Sequence, residues 1–72
     1  MTIARMASQR TYRIVVDGEL GSWLAHYVGD ATIQAAQGTT TIVGVVSEPR
    51  EFASLTMTLF DLGLEIERAI LL

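Results

Sequence analysis

At Gly63 the spacing of the apolar residues changes, and that change limits the folds open to the chain. Before it, in "SEPREFASLTMTLFDLG", Phe52, Leu55, Leu59 and Leu62 fall at i, i+3, i+7 and i+10, the stripe of a helix with one buried face. After it the period is two. Leu64, Ile66, Ile70 and Leu72 share one face of a strand, interrupted by Arg68, and Glu65, Glu67, Ala69 and Leu71 share the other. Gly63 stands where a left-handed residue stops a helix. Pro49, after Ser47 or Glu48, suits a first helical turn, where its missing N–H has no partner to lose. A last strand docked in a sheet also accounts for the apolar ending "AILL", since such a strand needs no polar tail.

The preceding segments complete a pattern. In "TYRIVVDG", Tyr12, Ile14 and Val16 alternate with Arg13, Val15 and Asp17, a strand signal, and Asp17-Gly18 supplies turn chemistry. In "ELGSWLAHYVGD", Leu20, Trp23, Leu24, Tyr27 and Val28 group on one face of a helix of about two turns, which Ser22 caps and Gly29 ends. Gly21 costs about 1 kcal/mol inside a helix, so this one starts at or after that position. "ATIQAAQGTTTIVGVV" reads as two strands around a turn at Gln37-Gly38. Ile33 and Ala35 share a face in the first, Ile42, Gly44 and Val46 in the second. The β-branched run from Thr39 favours the second strand, whereas the alanines of the first place it at a sheet edge.

The order strand, helix, strand, strand, helix, strand is the split βαβ pattern of ferredoxin-like folds. Right-handed crossovers then predict an α+β, ferredoxin-like domain over residues 11–72. Its four-stranded antiparallel sheet has the order 4-1-3-2, with two helices on one face, and a flexible N-terminal arm spans residues 1–10. Tyr12, Ile14, Val16, Ile33, Ile42, Val46, Leu64, Ile66 and Ile70 are expected on the covered face. Arg13, Val15, Asp17, Thr32, Gln34, Thr41, Val43, Val45, Glu65, Glu67, Ala69 and Leu71 are expected on the open one.

Composition bounds the partners. A chain of 72 residues buries only about 60% of its unfolded surface and commonly needs a staple. It contains no cysteine and one histidine, which excludes disulfides and the common Cys/His zinc sites. Half of its residues are apolar, so it is expected to fold. Five arginines and no lysine stand against eight carboxylates, a net charge of −3, with no basic run to meet a row of phosphates; nucleic acid is not an expected partner. No apolar stretch approaches the roughly 18 to 20 residues of a membrane span, and "MTIARMASQR" lacks the apolar segment of a signal peptide, so a cytoplasmic location and no membrane partner are expected.

Candidate chemistry is sparse. His26 precedes Asp30 by one helical turn and follows Ser22 by another, yet a dyad requires an activated nucleophile and the Ser22 hydroxyl is expected in the cap; His26 reads as a surface histidine. Trp23 and Tyr27 read as core filler or an amphipathic border rather than a ligand wall. Glu65 and Glu67 lie about 7 Å apart along a strand, too few oxygens for a hard cation, and one of them is expected opposite Arg13. Gly18 and Gly21 have neither the lysine nor the third glycine of a phosphate-binding loop. The expectation is therefore no catalytic, metal or cofactor-binding residue, and no enzyme.

Three pieces, "YRIVVDGEL" with the Trp23 segment after it, "GTTTIVGVV" and "LFDLGLEI", resemble a bacterial family of very short proteins of unassigned function across residues 12 to 66. The second helix departs from that family, with "EPREFASLTMTL" in place of a "DQAALHGLL"-like run. The resemblance implies a ferredoxin-like cytoplasmic protein and transfers no catalytic residue. "VVDGELGSWLA" is also similar to the Asp-x-Pro-Gly-x-Leu entry to the first helix of ACT-type regulatory domains, without its proline. That likeness implies a ligand turn at Asp17, Gly18 and Trp23.

The expected function is a non-enzymatic interaction module, self-associating as a homodimer or meeting another protein through an apolar strip of Val15, Val43, Val45, Ala69 and Leu71. The alternative is an ACT-like domain that senses a small molecule.

Overall fold

The computed structural model describes residues 9–72. Its elements are β1 (Arg10–Asp17), a 3-10 turn (Ser22–Leu24) running into α1 (Ala25–Val28), β2 (Thr32–Ala36), β3 (Thr39–Val46), α2 (Pro49–Asp61) and β4 (Ile66–Leu71). The expected flexible arm lies outside the described residues except for Gln9 and Arg10. Arg10 is instead the first residue of β1, paired with Val46, and its Nε donates to the Leu72 carbonyl at 2.9 Å.

The domain is α+β. All three strand pairings are antiparallel, and the order across the sheet is β2-β3-β1-β4. Counted from the other edge the same order is β4-β1-β3-β2. The two longest strands, β1 and β3, are central, and β2, with Ala35 and Ala36, is an edge. One apolar cluster holds the layers together: Tyr12, Ile14, Val16, Ile42 and Val46 from the sheet, Leu24 from the first helical segment and Leu59 from α2. Ile14, Leu24, Ile42 and Leu59 are fully buried, each contributing about 1.5–3 kcal/mol by leaving water. Phe52, Leu55 and Leu62 pack around them, as their helical spacing predicts.

Local chemistry fixes the ends of α2. The Glu51 carboxylate reaches back to accept the N–H groups of Ser47 at 2.6 Å and Glu48 at 3.3 Å, the returning half of a capping box. At the other end the N–H of Gly63 donates to the Phe60 carbonyl at 2.9 Å and that of Leu64 to the Leu59 carbonyl at 3.2 Å. Those two bonds make a Schellman motif, and Gly63 adopts the φ of +85° that it requires. The chain thus leaves the helix at the residue where the apolar period changes.

The first helical segment is shorter than its pattern predicts. It begins as a 3-10 turn after Gly21, and the Ser22 hydroxyl makes no capping bond. α1 has a single turn ended by Gly29. Only Leu24 is buried; Trp23 and Tyr27 are 48% and 42% exposed, so of the two expected roles, core filler and amphipathic border, core filler is the one corrected. With so little helix, Leu24 anchors the segment and Val28 packs half-buried against the same core.

The loop after β1 is tied to the β2–β3 hairpin. Thr40, in phase with Ile42 and completely buried, donates its hydroxyl to the Gly18 carbonyl at 2.6 Å and accepts the Leu20 N–H at 2.8 Å. Gly18 N–H donates to the Gly38 carbonyl at 2.7 Å, and the Gly38 N–H donates to Glu19 Oε2 at 2.8 Å. The hairpin turns through Gln37 and Gly38 with φ of 57° and 84°, the two-residue loop with both positions left-handed that suits the twist of paired strands.

Candidate interaction surface

The pairing of β1 with β4 slips by one residue between Val15 and Val16: Val15 faces Arg68 while Val16 faces Ile66. Glu67 is the extra residue of a β-bulge. Because side chains alternate at every residue, one extra residue moves all that follow to the opposite face. Ala69 stands opposite Ile14 and Leu71 opposite Tyr12, on the helix-covered side, and Leu71 packs against the core. Ile70 stands opposite Arg13 on the open side. The expected strip of Val15, Val43, Val45, Ala69 and Leu71 is thus corrected at its last two members, and the expected core residue Ile70 changes sides as well.

Three rows of the open face follow from the pairings. Thr32, Val43, Arg13 and Ile70 form one; Gln34, Thr41, Val15 and Arg68 form the next. In the third, Val45 lies beside Thr11, and the Leu72 N–H donates to the Thr11 carbonyl at 2.8 Å, which continues the β4 alternation onto this face. Val45 is 58% and Leu72 65% exposed; Val15, Val43 and Ile70 are half-buried. Apolar side chains therefore flank the central strand at one end of the sheet, with Arg13 and Thr11 between them. Toward the other end Arg13, Val15, Glu67 and Arg68 line a shallow hollow. Glu67 reaches it through the bulge, whereas Glu65 precedes the strand and accepts the Asp17 N–H with its backbone carbonyl at 2.9 Å. The residue opposite Arg13 is Ile70 and not a glutamate.

A second concavity leaves no mark in the sequence. β3 outruns β2 beyond the Thr32–Val43 pair, leaving an open-sided cleft of about 590 Å³ lined by residues that include Tyr12, Val28, Asp30, Gly44 and Val45. Its floor is a close approach: a Cβ built on Gly44 would lie 2.5 Å from the Tyr12 phenol oxygen. The Tyr12 ring also meets Phe52, with centroids 5.9 Å apart, and burial raises its pKa.

The residues weighed for chemistry do not converge. His26 is exposed and meets the Tyr27 ring edge-on at 5.1 Å, and Tyr27 meets Trp23 edge-on at 6.0 Å. At the turn of Asp17, Gly18 and Trp23 the backbone is engaged internally: the Asp17 N–H with Glu65, the Gly18 N–H with Gly38 and the Gly18 carbonyl with Thr40. Among the described residues no three His, Cys, Asp or Glu side chains gather as metal ligands, and no helix is long and apolar enough to cross a membrane.

Residues 11–68 match a family model described as a domain of unknown function. No curated protein and no solved structure matches the chain.

Proposed function

The chain belongs to the DUF8691 family, and on that footing we propose that it is a non-enzymatic, ferredoxin-like interaction module that self-associates through its open sheet face. The observation that carries this reading is the placement of Val43 and Ile70 on either side of Arg13, with Val45 and Leu72 in the next row. The residues that the two helical segments bury, Leu24 and Leu59, pack with Tyr12, Ile14, Val16 and Ile42 on the opposite face of the sheet, so neither segment's buried side covers this set. Apolar surface gathered in this way and rimmed by polar groups marks contact sites, and a second subunit supplies the buried area that so short a chain lacks.

The rim suits a two-fold contact. Arg13 and Arg68 share the hollow with Glu67, so an antiparallel arrangement of two copies can oppose unlike charges while the apolar end is buried. Exposed ion pairs of this kind direct register more than they add affinity.

The test is Val43→Glu, measured by native mass spectrometry over a concentration series beside circular dichroism. The expected result is a folded monomer where the wild type is a dimer. Dimers unchanged in mass distribution and stability would refute the open face as the contact. A defined extra mass travelling with the wild type would favour the small-molecule reading instead.

A further inference from the structure

The two edges of the sheet are unequally guarded. β4 carries a bulge and two charged residues, Glu67 and Arg68, devices that keep a foreign strand from adding on. β2, Thr32-Ile33-Gln34-Ala35-Ala36, has no charge, no proline and a regular register throughout. We propose that the β2 edge is a strand-addition surface whose partner is β2 of a second copy, running antiparallel about Gln34. This contact goes beyond the open-face association, because the face contact rests on the side chains of Val43, Val45, Ile70 and Leu72 and the edge contact on the backbone of Ile33 and Ala35.

Backbone geometry supports it. In a hairpin with a two-residue loop the flanking residues, here Ala36 and Thr39, form a hydrogen-bonded pair, and such pairs alternate along the ladder. Gln34–Thr41 and Thr32–Val43 are then hydrogen-bonded, while Ile33 and Ala35, opposite Ile42 and Thr40, turn their N–H and C=O groups outward. Pairing two copies about Gln34 sets Ile33 of each opposite Ala35 of the other. Four backbone hydrogen bonds close, a large side chain faces a small one, and no like charges meet because the strand has none. A second copy is thus the partner whose sequence already fits the edge. The ladder is five residues long, which makes the contact a reversible one, responsive to concentration.

Amide hydrogen exchange on the wild-type protein tests this directly, with Gln34, bonded inside the hairpin, as the internal reference. The Ile33 and Ala35 amides should exchange about tenfold or more slowly at high than at low protein concentration. An exchange rate at both sites that is independent of concentration, fast or slow, overturns the proposal. Ala35→Pro removes an outward N–H and keeps the inner ladder; it should abolish the concentration dependence at Ile33. Val43→Glu, which breaks the open-face contact, should leave that dependence in place, so the failure of either contact is distinguishable from failure of the other.

Discussion

Tyr12 and Gly44 face each other across β1 and β3, and the tyrosine ring occupies the space a side chain on Gly44 would need: a Cβ there would meet the phenol oxygen at 2.5 Å, Cζ at 2.7 Å and Cε2 at 2.8 Å. The ring is held by Phe52 and by its place in the core, so it cannot swing away freely. Gly44→Ala should therefore destabilise by about 1–3 kcal/mol, the usual cost of overpacking. Urea unfolding of the single variant and of Gly44→Ala with Tyr12→Val measures the coupling, and the double variant should lose less than the sum of its parts.

Burial of Tyr12 also has a signature in alkaline solution. Its pKa is raised in the folded protein by desolvation, above the ordinary tyrosine value of about 10. The folded state then holds its proton where the unfolded chain has released it. The stability that this gives is fully present below about pH 10 and is lost as pH rises through the folded value. Tyr12→Phe should flatten the alkaline limb of a plot of stability against pH and leave the neutral region's slope unchanged.

Thr40 is a buried hydroxyl with two backbone partners. Thr40→Val keeps the shape and strands the Gly18 carbonyl and the Leu20 N–H, at about 1–3 kcal/mol for a buried group left unpaired. Thr40→Ser retains both bonds and should lose less. Chemical denaturation distinguishes the two variants, with unchanged m-values showing that only stability has moved.

Gln37 stands with a φ of 57° in the hairpin loop, a conformation that costs an ordinary residue about 1–2 kcal/mol and that asparagine and glycine visit readily. Gln37→Asn should stabilise the protein by about 1 kcal/mol and raise its melting temperature. No gain on calorimetry would mean that the side chain has a role beyond the turn.

Much of the fold is written plainly in the chain. The alternation from Tyr12 to Val16, the left-handed stop at Gly63 and the weak strand around Ala35 each have one local physical meaning, and each element stands where that meaning puts it. The surface is less plainly encoded. "IERAIL" alternates acceptably in either phase, since Ile66 and Ile70 read as one face only if no residue is spare; the bulge at Glu67 comes from pairing with Val15 and Val16 and has no local mark. Trp23 and Tyr27 carry the spacing of a buried stripe, but the 3-10 turn and the single turn of α1 bring Leu24 into the core with Val28 half-buried against it. Thr40 is detectable in retrospect, because it keeps step with Ile42 and Gly44 in a run of three threonines.

The bulge has a consequence for how this chain can change length. Most strand positions cannot lose a residue, because every side chain beyond the gap would turn over. Glu67 is surplus to the ladder: with it removed, Ile66 still meets Val16, Arg68 still meets Val15, and Ala69 and Leu71 still face inward. A chain lacking Glu67 should fold with the same pairings and a straighter β4, while a chain lacking Ala69 should not; β4 therefore holds one tolerated deletion within an otherwise inflexible register.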